Sequence, residues 1–275
     1  MQENSTFPPY SVLMSVYAKE NPEYLKESVE SMFSQSIKPS QFVLVIDGPV
    51  PQSLQAEIDS LFERFKLTLC PLPQNVGLGR ALNEGLKLCE NDIVARMDSD
   101  DIAFPDRMEF QLSLMQQSGA DIISATVAEF EENCDKVTAL RIVPETHAEI
   151  MKFVRKRNPF NHPAVVYKKS VIEAAGGYQD YLLFEDYELF ARALALGAVG
   201  ANVQQPLLYM RAGASMYDRR GGKDYAKKML AFYKRLSQLG LCSFKEKITC
   251  VLPRYIVAVM PGTLRRFVYK TLLRG

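Results

Sequence analysis

The first hundred residues alternate between short apolar runs and longer segments whose apolar positions recur every three or four residues. The apolar runs, which favour β-strands, lie at 10–16, 41–46, 67–72 and 93–98. The helical pattern occupies the segments between them, at 22–34, 51–65 and 75–88. Strands that alternate with helices at this spacing predict βαβ units with right-handed crossovers and a parallel sheet.

The alternation becomes irregular in the second half of the chain. Helices are predicted at 105–118, 146–154, 184–195 and from 223 onward. Strands are predicted at 122–130 and 137–143, as an antiparallel pair, and two short extended segments are predicted between Ala198 and Met210. The predicted fold class is α/β, a mostly parallel sheet flanked by helices, with an antiparallel extension and a C-terminal helical tail.

The chain has 275 residues, a length that suits one large domain with an appended piece. We expect a domain over 1–222 and a helical extension over 223–275. The formal net charge of +1 lacks the basic excess that nucleic-acid binding requires, so no nucleic-acid partner is expected. The five cysteines are scattered and indicate reduced thiols in a cytoplasmic protein. We expect no signal peptide in residues 1–9, and the apolar runs fall short of the roughly 20 residues that span a bilayer.

The charge is uneven along the chain. Between 241 and 275 the only acid is Glu246, whereas lysines and arginines are interleaved with valine, leucine, phenylalanine and tyrosine. Such a basic amphipathic tail can lie on an anionic membrane surface. It can equally pack on the sheet with its cations extended to solvent, and the pattern favours neither.

Acidic residues follow the predicted strands at the end where ligands of parallel sheets bind. Asp47 ends the second strand, and three acids surround Ser99 after the fourth. Alternation along a strand places Asp98 and Asp100 on one side, where two carboxylates need a counter-charge such as Mg²⁺ or Mn²⁺. An acidic run can also be a solvated turn, but its position after a buried strand favours the metal.

Glu185 and Asp186 begin the helix predicted at 184–195. Acids in a first turn are ordinary caps, but a carboxylate kept ionised there can also take a proton from a sugar hydroxyl. His162 lies in a proline-rich loop, where a structural role is as plausible as a functional one. A glycine-rich loop carries Arg211, Arg219 and Arg220, which suit a diphosphate better than a core.

Eight motifs together carry a family resemblance. In chain order they are Ser-Val-Tyr-x-x-Glu (15–20), Asp-Gly (47–48), Asn-x-Gly-x-x-x-Ala-x-Asn (75–83), Asp-Ser-Asp-Asp (98–101), Asn-His-Pro (161–163), Gly-Gly-Tyr (176–178), Glu-Asp-Tyr-Glu-Leu (185–189) and Met-Tyr-x-Arg-Arg-Gly-Gly (216–222). The chain resembles the inverting family 2 glycosyltransferases of the nucleotide-diphospho-sugar type, in particular bacterial enzymes that assemble exopolysaccharide or O-antigen repeat units. The resemblance implies a GT-A-like fold, with nucleotide binding by about 8–101 and acceptor binding by about 102–222.

The resemblance also implies roles for individual residues. Asp186 would be the general base, and Glu185 would orient it or the acceptor. Asp100 would ligate Mn²⁺ or Mg²⁺, and Asp98 would face the ribose or the metal. The other nucleotide-binding residues would be Ser15, Tyr17, Glu20, Asp47 and Arg80, and the diphosphate or acceptor would contact His162, Arg211, Arg219 and Arg220.

Two departures from the family pattern are visible. Ile46 stands before Asp47 where many relatives have a second acid, which affects the expected contact to the base. Many relatives also have a histidine after the late arginine, but Arg211 is followed by alanine and glycine. The arginines of the loop are therefore expected to neutralise phosphate in its place.

The function implied is transfer of a sugar from a nucleotide-diphosphate sugar, with UDP as the default, to a polyprenyl-diphosphate-linked glycan. The enzyme would be cytoplasmic and bound peripherally to the inner face of the cell membrane through its tail. The alternative is a non-catalytic sugar-nucleotide-binding or scaffold subunit of a polysaccharide-assembly complex. A nucleotidyltransferase would need a basic glycine-rich loop after the first strand, which residues 15–19 do not provide.

Overall fold

The computed structural model describes residues 7–181, 183–212 and 222–260. Its strands are β1 (Tyr10–Val16), β2 (Gln41–Ile46), β3 (Thr68–Pro71), β4 (Ile93–Asp98), β5 (Ile102–Ala103), β6 (Ile122–Phe130), β7 (Ala139–Arg141), β8 (Val166–Lys168) and β9 (Gly200–Arg211). Its helices are α1 (Pro22–Phe33), α2 (Gln52–Phe65), α3 (Leu78–Leu88), α4 (Arg107–Ser118), α5 (His147–Phe153), α6 (Lys169–Ala174), α7 (Glu185–Ala195), α8 (Lys223–Gln238) and α9 (Phe244–Val259). These elements confirm the predicted α/β class.

The N-terminal half forms a block of four parallel strands in the order β3-β2-β1-β4, and β6 and β9 also pair in parallel. All three pairings within the block are parallel, as the βαβ pattern predicts. Ser15 is paired with Val45 on one side and with Asp98 on the other. Because these strands end at one edge, the loops after β1, β2 and β4 share a rim of the sheet.

The same sheet continues through β8, β6, β9 and β5, and β7 pairs with β6 in an antiparallel ladder. The prediction of two short segments between Ala198 and Met210 is wrong, because the structure has one twelve-residue strand there. Its register against β6 shifts between Val203 and Pro206. The polar Gln204 and Gln205 and the proline, which cannot donate to the ladder, interrupt the apolar pattern at this bulge.

Helices cover both faces of the sheet and create two cores. One core contains buried side chains of α1, α2 and α4, and the other contains those of α3, α5, α6, α7 and α8. Gly85 allows α3 to lie close to the sheet, since a Cβ at this position would be 2.4 Å from Val45 Cγ2 and 2.5 Å from Leu13 Cδ1. This contact fixes the height of α3 above β1 and β2.

The two C-terminal helices differ in their environment. Helix α8 buries Met229, Phe232, Tyr233 and Leu236 in the same core as α7. Helix α9 exposes the apolar side chains Leu252, Tyr255 and Ile256 at the spacing of one helical face. The division at residue 222 remains a prediction. Among the described residues, none of the helices is both long and apolar enough to cross a membrane.

Candidate active site

Three carboxylates meet where β4 ends. Asp98 is the last residue of β4, and Asp100 and Asp101 lie in the turn that leads to β5. One oxygen from each carboxylate lies within 4.8 Å of the others. Sequence reasoning assigned a metal-binding role to Asp98 and Asp100 and named Asp101 only as part of the acidic run. Strand alternation no longer applies once the chain turns after Asp98, so the third acid joins the cluster.

The turn is fixed by bonds from three directions. The buried guanidinium of Arg96 pairs with the carboxylate of Asp98. The backbone N–H of Arg211 donates to Asp101 Oδ1 at 2.9 Å, whereas Asp101 Oδ2 is buried without a hydrogen-bond partner. Ser99 donates its hydroxyl to the carboxylate of Glu20, which ties the turn to the loop after β1. The geometry is thus held by the protein itself.

The carboxylates repel each other in this partly buried place. Burial, together with the charges of Asp98 and Glu20, raises the pKa of Asp100 to about 7. Burial and the charges of Asp98 and Asp100 raise the pKa of Asp101 well above its ordinary value. Clustered oxygen ligands, a buried oxygen without a partner and repulsion between neighbouring carboxylates are features that suit a hard divalent cation. The residues therefore fit Mn²⁺ or Mg²⁺.

The expected nucleotide-binding residues line the rim beside this cluster. Ser15 is half-buried near the end of β1, and Tyr17 is 46% exposed in the following loop. Asp47 is buried, and its carboxylate accepts the N–H groups of Val76 at 2.7 Å and Gly77 at 3.1 Å. The structure thus shows Asp47 fixing the turn before α3, and its contact with a base remains a prediction.

Arg80 projects from the first turn of α3 into solvent. Its guanidinium pairs with Asp180, in the loop that precedes α7. Both side chains are more than half exposed, so the pair contributes little to stability. The arginine can therefore exchange this partner for a phosphate at low cost.

Asp186 and Glu185 open α7, as predicted. Asp186 Oδ2 accepts a hydrogen bond from Asn158 Nδ2 at 2.9 Å, and Oδ1 accepts the N–H of Tyr187 at 2.7 Å. Burial raises the pKa of Asp186, although the Tyr187 N–H and the charges of Arg96 and Arg141 oppose the shift. Burial also raises the pKa of Glu185, and its Oε2 is buried without a partner. Asp186 is the better held of the two acids.

His162 lies beneath the rim rather than on it. It is buried in a short 3₁₀ turn, and its Nε2 is 2.8 Å from the Tyr178 hydroxyl. Burial and the charge of Arg96 hold the pKa of His162 well below its ordinary value, so the ring is neutral at pH 7. This placement favours a structural role, and the expected contact with diphosphate or acceptor remains a prediction.

Arg211 braces the acidic turn. Its Nε donates to the carbonyl oxygen of Asp100 at 3.1 Å, and its Nη2 donates to Glu27 at 3.0 Å. The guanidinium carbon also lies 3.7 Å from the ring centroid of Tyr24. These bonds use two of the five N–H donors of the guanidinium. The expected role of Arg211 at a diphosphate remains a prediction. Arg219 and Arg220 lie outside the described residues.

Besides Asp101, two further site residues were given no role by the sequence analysis. Asn158 lies in the loop between α5 and the 3₁₀ turn, and it donates a hydrogen bond to Asp186. Arg96 is the charged residue inside the otherwise apolar strand 93–97, and a buried lone charge in such a strand is the signal that could have revealed it. Its guanidinium pairs with Asp98, and its charge also affects Asp186. Arg96 therefore connects the acidic cluster to the candidate base.

Comparison with known proteins places this site in a family. Residues 11–173 match the model described as Glycosyl transferase family 2. The chain is 38% identical over 267 residues to the amylovoran biosynthesis glycosyltransferase AmsE of Erwinia amylovora, covering 97% of this chain and 100% of the relative. It is 37% identical over 268 residues to a UDP-Gal:alpha-D-GlcNAc-diphosphoundecaprenol beta-1,3-galactosyltransferase of Escherichia coli, covering 97% of each.

A solved structure shares the fold. The mannosyltransferase PcManGT of Pyrobaculum calidifontis, in complex with GDP-Man and Mn²⁺, superimposes with a TM-score of 0.66 at 13% identity, covering 98% of this chain and 81% of that one. The likeness confirms the predicted GT-A-like fold. The family match spans more than half of the chain and includes all three acids of the cluster. The chain belongs to glycosyl transferase family 2.

Proposed function

We propose that this protein is an inverting glycosyltransferase of bacterial exopolysaccharide or O-antigen biosynthesis. It moves a sugar from a nucleotide-diphosphate sugar, with UDP as the expected nucleotide, to a lipid-diphosphate-linked glycan. The observation that carries the proposal is the acidic cluster of Asp98, Asp100 and Asp101, connected through Arg96 to Asp186 at the start of α7. The acids that would serve the donor and the candidate base for the acceptor are thus both under the influence of the buried Arg96 guanidinium.

The relatives support the substrate classes. The E. coli relative is named for transfer from UDP-Gal to a GlcNAc-diphosphoundecaprenol, and PcManGT is bound to a sugar nucleotide together with Mn²⁺. On the donor side, Asp98, Asp100 and Asp101 would hold Mn²⁺ or Mg²⁺, which neutralises charge on a departing diphosphate when bound. Ser15, Tyr17, Glu20, Asp47 and Arg80 would bind the nucleotide, with Arg211, Arg219 and Arg220 on the diphosphate side.

Asp186 acts on the acceptor. Its carboxylate accepts the proton of the acceptor hydroxyl while the hydroxyl oxygen forms a bond to the anomeric carbon. The bond from that carbon to the diphosphate oxygen breaks, and its electron pair leaves with the nucleoside diphosphate. A single displacement from the opposite face inverts the anomeric configuration. Because burial raises the pKa of Asp186, the carboxylate is more basic than an exposed aspartate.

The C-terminal helices would hold the enzyme at the inner face of the cell membrane. Helix α9 exposes Leu252, Tyr255 and Ile256, and Arg254 lies among them. Apolar side chains beside a cation suit the headgroup region of an anionic bilayer. A lipid-linked acceptor would be reached from this position.

A panel of nucleotide sugars tests the proposal. Purified protein with Mn²⁺ is expected to release a nucleoside diphosphate from one donor, and the release should increase when GlcNAc-diphospho-lipid is added. Asp100→Asn and Asp186→Asn should both abolish transfer to the lipid, and the conservative exchange Asp135→Asn on an exposed loop serves as control. If no donor is bound or turned over, with or without the lipid, the alternative of a non-catalytic subunit takes its place.

A further inference from the structure

A strongly basic turn lies directly before the residue that holds the candidate base. Residues 152–157 contain Lys152, Arg155, Lys156 and Arg157 and no acid, and all four side chains are exposed. Asn158, which follows at once, donates to Asp186. Because two residues of chain span at most about 7 Å, the Cα of Lys156 lies within about 7 Å of the Cα of Asn158, roughly the length of one sugar unit. None of the roles proposed above uses these cations.

Hydrogen bonds from two tyrosine hydroxyls hold the backbone of this turn in place. The Tyr187 hydroxyl donates to the carbonyl of Val154 at 2.6 Å, and the Tyr233 hydroxyl donates to the carbonyl of Lys156 at 2.8 Å. Tyr187 belongs to α7 and Tyr233 to α8, so the helix of the candidate base and the C-terminal helices both hold the turn. A fixed backbone with exposed cations is a prepared anion site.

A groove of about 510 Å³ opens beside the turn. Its walls include Lys152, Lys156 and Phe153 on one side and Ile142 on the other, and Ile142 is 66% exposed. Two acids, Glu145 and Glu149, also line the groove, but Glu149 is engaged at the start of α5 by the N–H and hydroxyl of Thr146, both at 3.0 Å. The groove therefore combines two lysines, two acids and an exposed apolar wall, and the exposed Arg155 and Arg157 of the adjoining turn give this region its excess of positive charge.

On the other wall of the groove, the chain adjoins a residue that influences the candidate base. Ile142 follows Arg141, whose charge lowers the pKa of Asp186 against the effect of burial. The carbonyl of Arg141 accepts a hydrogen bond from Asn161 at 2.8 Å, which keeps this strand end in place. Each wall of the groove is thus close in sequence to a residue that acts on Asp186. Asn158 donates a hydrogen bond to it, and Arg141 lowers its pKa.

We propose that this groove, with Lys152, Lys156 and the rest of the basic turn, binds the diphosphate and the first apolar units of the lipid-linked acceptor. The inference rests on the proposed function. It assigns the lipid-diphosphate end of the acceptor to a surface outside the acidic cluster of Asp98, Asp100 and Asp101. The diphosphate lies on the lysines, the lipid chain begins along Ile142 and Phe153, and the attached sugar extends toward Asp186. Complementary charge and an amphipathic wall match a molecule that is anionic at one end and apolar at the other.

The test compares two acceptors that share one sugar. One is GlcNAc-diphosphate carrying a short alkyl chain, and the other is the alkyl glycoside of GlcNAc without diphosphate. Lys152→Gln/Lys156→Gln should raise the KM for the diphosphate acceptor about tenfold or more, because each charge-assisted contact to a phosphate is worth about that factor. The KM for the donor and that for the alkyl glycoside should stay unchanged. Lys38→Gln/Lys136→Gln removes the same charge from exposed positions elsewhere and should match wild type.

Binding of the same diphosphate probe by calorimetry gives a readout that needs no turnover. Weaker binding in the lysine variant but not in its control supports the inference. Unchanged binding of the probe by the lysine variant overturns the inference. If wild type and this variant both still transfer the sugar, the proposed function stands. If the lysine variant loses only its binding to phosphatidylglycerol vesicles, the turn is a membrane contact and the inference is wrong. Failure of wild type to bind the probe overturns both proposals.

Discussion

Asn83 of α3 holds Tyr178 by both of its backbone groups. The amide Nδ2 donates to the Tyr178 carbonyl at 2.8 Å, and Oδ1 accepts the Tyr178 N–H at 2.8 Å. Gly79, one turn earlier, approaches the same segment so closely that a Cβ there would lie 3.2 Å from the Cβ of Tyr178 and 3.7 Å from that of Glu185. The helix beside the nucleotide rim is thereby joined to the loop that leads into α7.

We expect Asn83→Ala to lower the free energy of unfolding by about 2 kcal/mol, because two hydrogen bonds are lost and two backbone groups lose their partners. Urea unfolding measures the change. Gln117→Ala, at an exposed position of α4, should stay within about 0.5 kcal/mol of wild type. Equal stability of the two variants would show that the Asn83 bonds do not join these segments.

Removing the cation should reveal the repulsion within the acidic cluster. The pKa of Asp100 in the folded protein is raised to about 7, above the ordinary value of about 3.9 for an unfolded chain. The folded state therefore binds this proton more tightly than the unfolded chain does. The stability that protonated Asp100 contributes is fully present below the unfolded pKa and is lost as the pH rises through about 7. In EDTA at pH 8, Asp100→Asn should have a higher Tm than wild type.

Adding Mn²⁺ should reverse that order. A cation that binds only the folded wild type stabilises it by about 2.7 kcal/mol at one hundred times its Kd, and Asp100→Asn loses a ligand. Thermal unfolding with EDTA and with Mn²⁺ measures both effects, and Asp135→Asn should follow wild type. A wild-type Tm that does not respond to Mn²⁺ or Mg²⁺ would contradict the metal assignment.

The pH dependence of transfer should report on Asp186. The base must be ionised, so kcat/KM should fall as the pH drops through its raised pKa. The hydrogen bond from Asn158 favours the ionised form, and Asn158→Ala should move this acid limb to higher pH. Asn133→Ala, in an exposed loop, should leave it in place. An unmoved limb in Asn158→Ala would mean that another group controls the profile.

The parallel half of the fold could be predicted because its strands and helices carry unambiguous periods. The long strand β9 could not, because Gln204 and Pro206 break the apolar pattern where the backbone forms a bulge. The candidate site likewise contains residues that the sequence pattern indicates and residues that it does not. Asp98, Asp100 and Asp186 stand at ends of elements, where the sequence pattern indicates function, and the family resemblance gives them roles.

Asp101, Arg96 and Asn158 depend on the turn of the chain and on tertiary contacts. Asp101 reaches the cluster only because the chain leaves β4 and turns. Asn158 meets Asp186 across 28 residues of sequence, and spacing alone cannot show that contact. The contacts of Arg211 with Asp100 and Glu27 are also tertiary, and its expected place at a phosphate stays a prediction.

Single-turnover transfer to GlcNAc-diphospho-lipid, with wild type, Asp186→Asn and Glu185→Gln side by side, tests the central claim most directly. A general base contributes about a hundredfold to ten-thousandfold, so Asp186→Asn should lose at least that factor, whereas Glu185→Gln should keep a measurable fraction of the wild-type rate. Proton NMR of the wild-type product should show the anomeric configuration opposite to that of the donor. Transfer by Asp186→Asn at the wild-type rate, or a product that retains the configuration of the donor, would contradict a single displacement with Asp186 as the base.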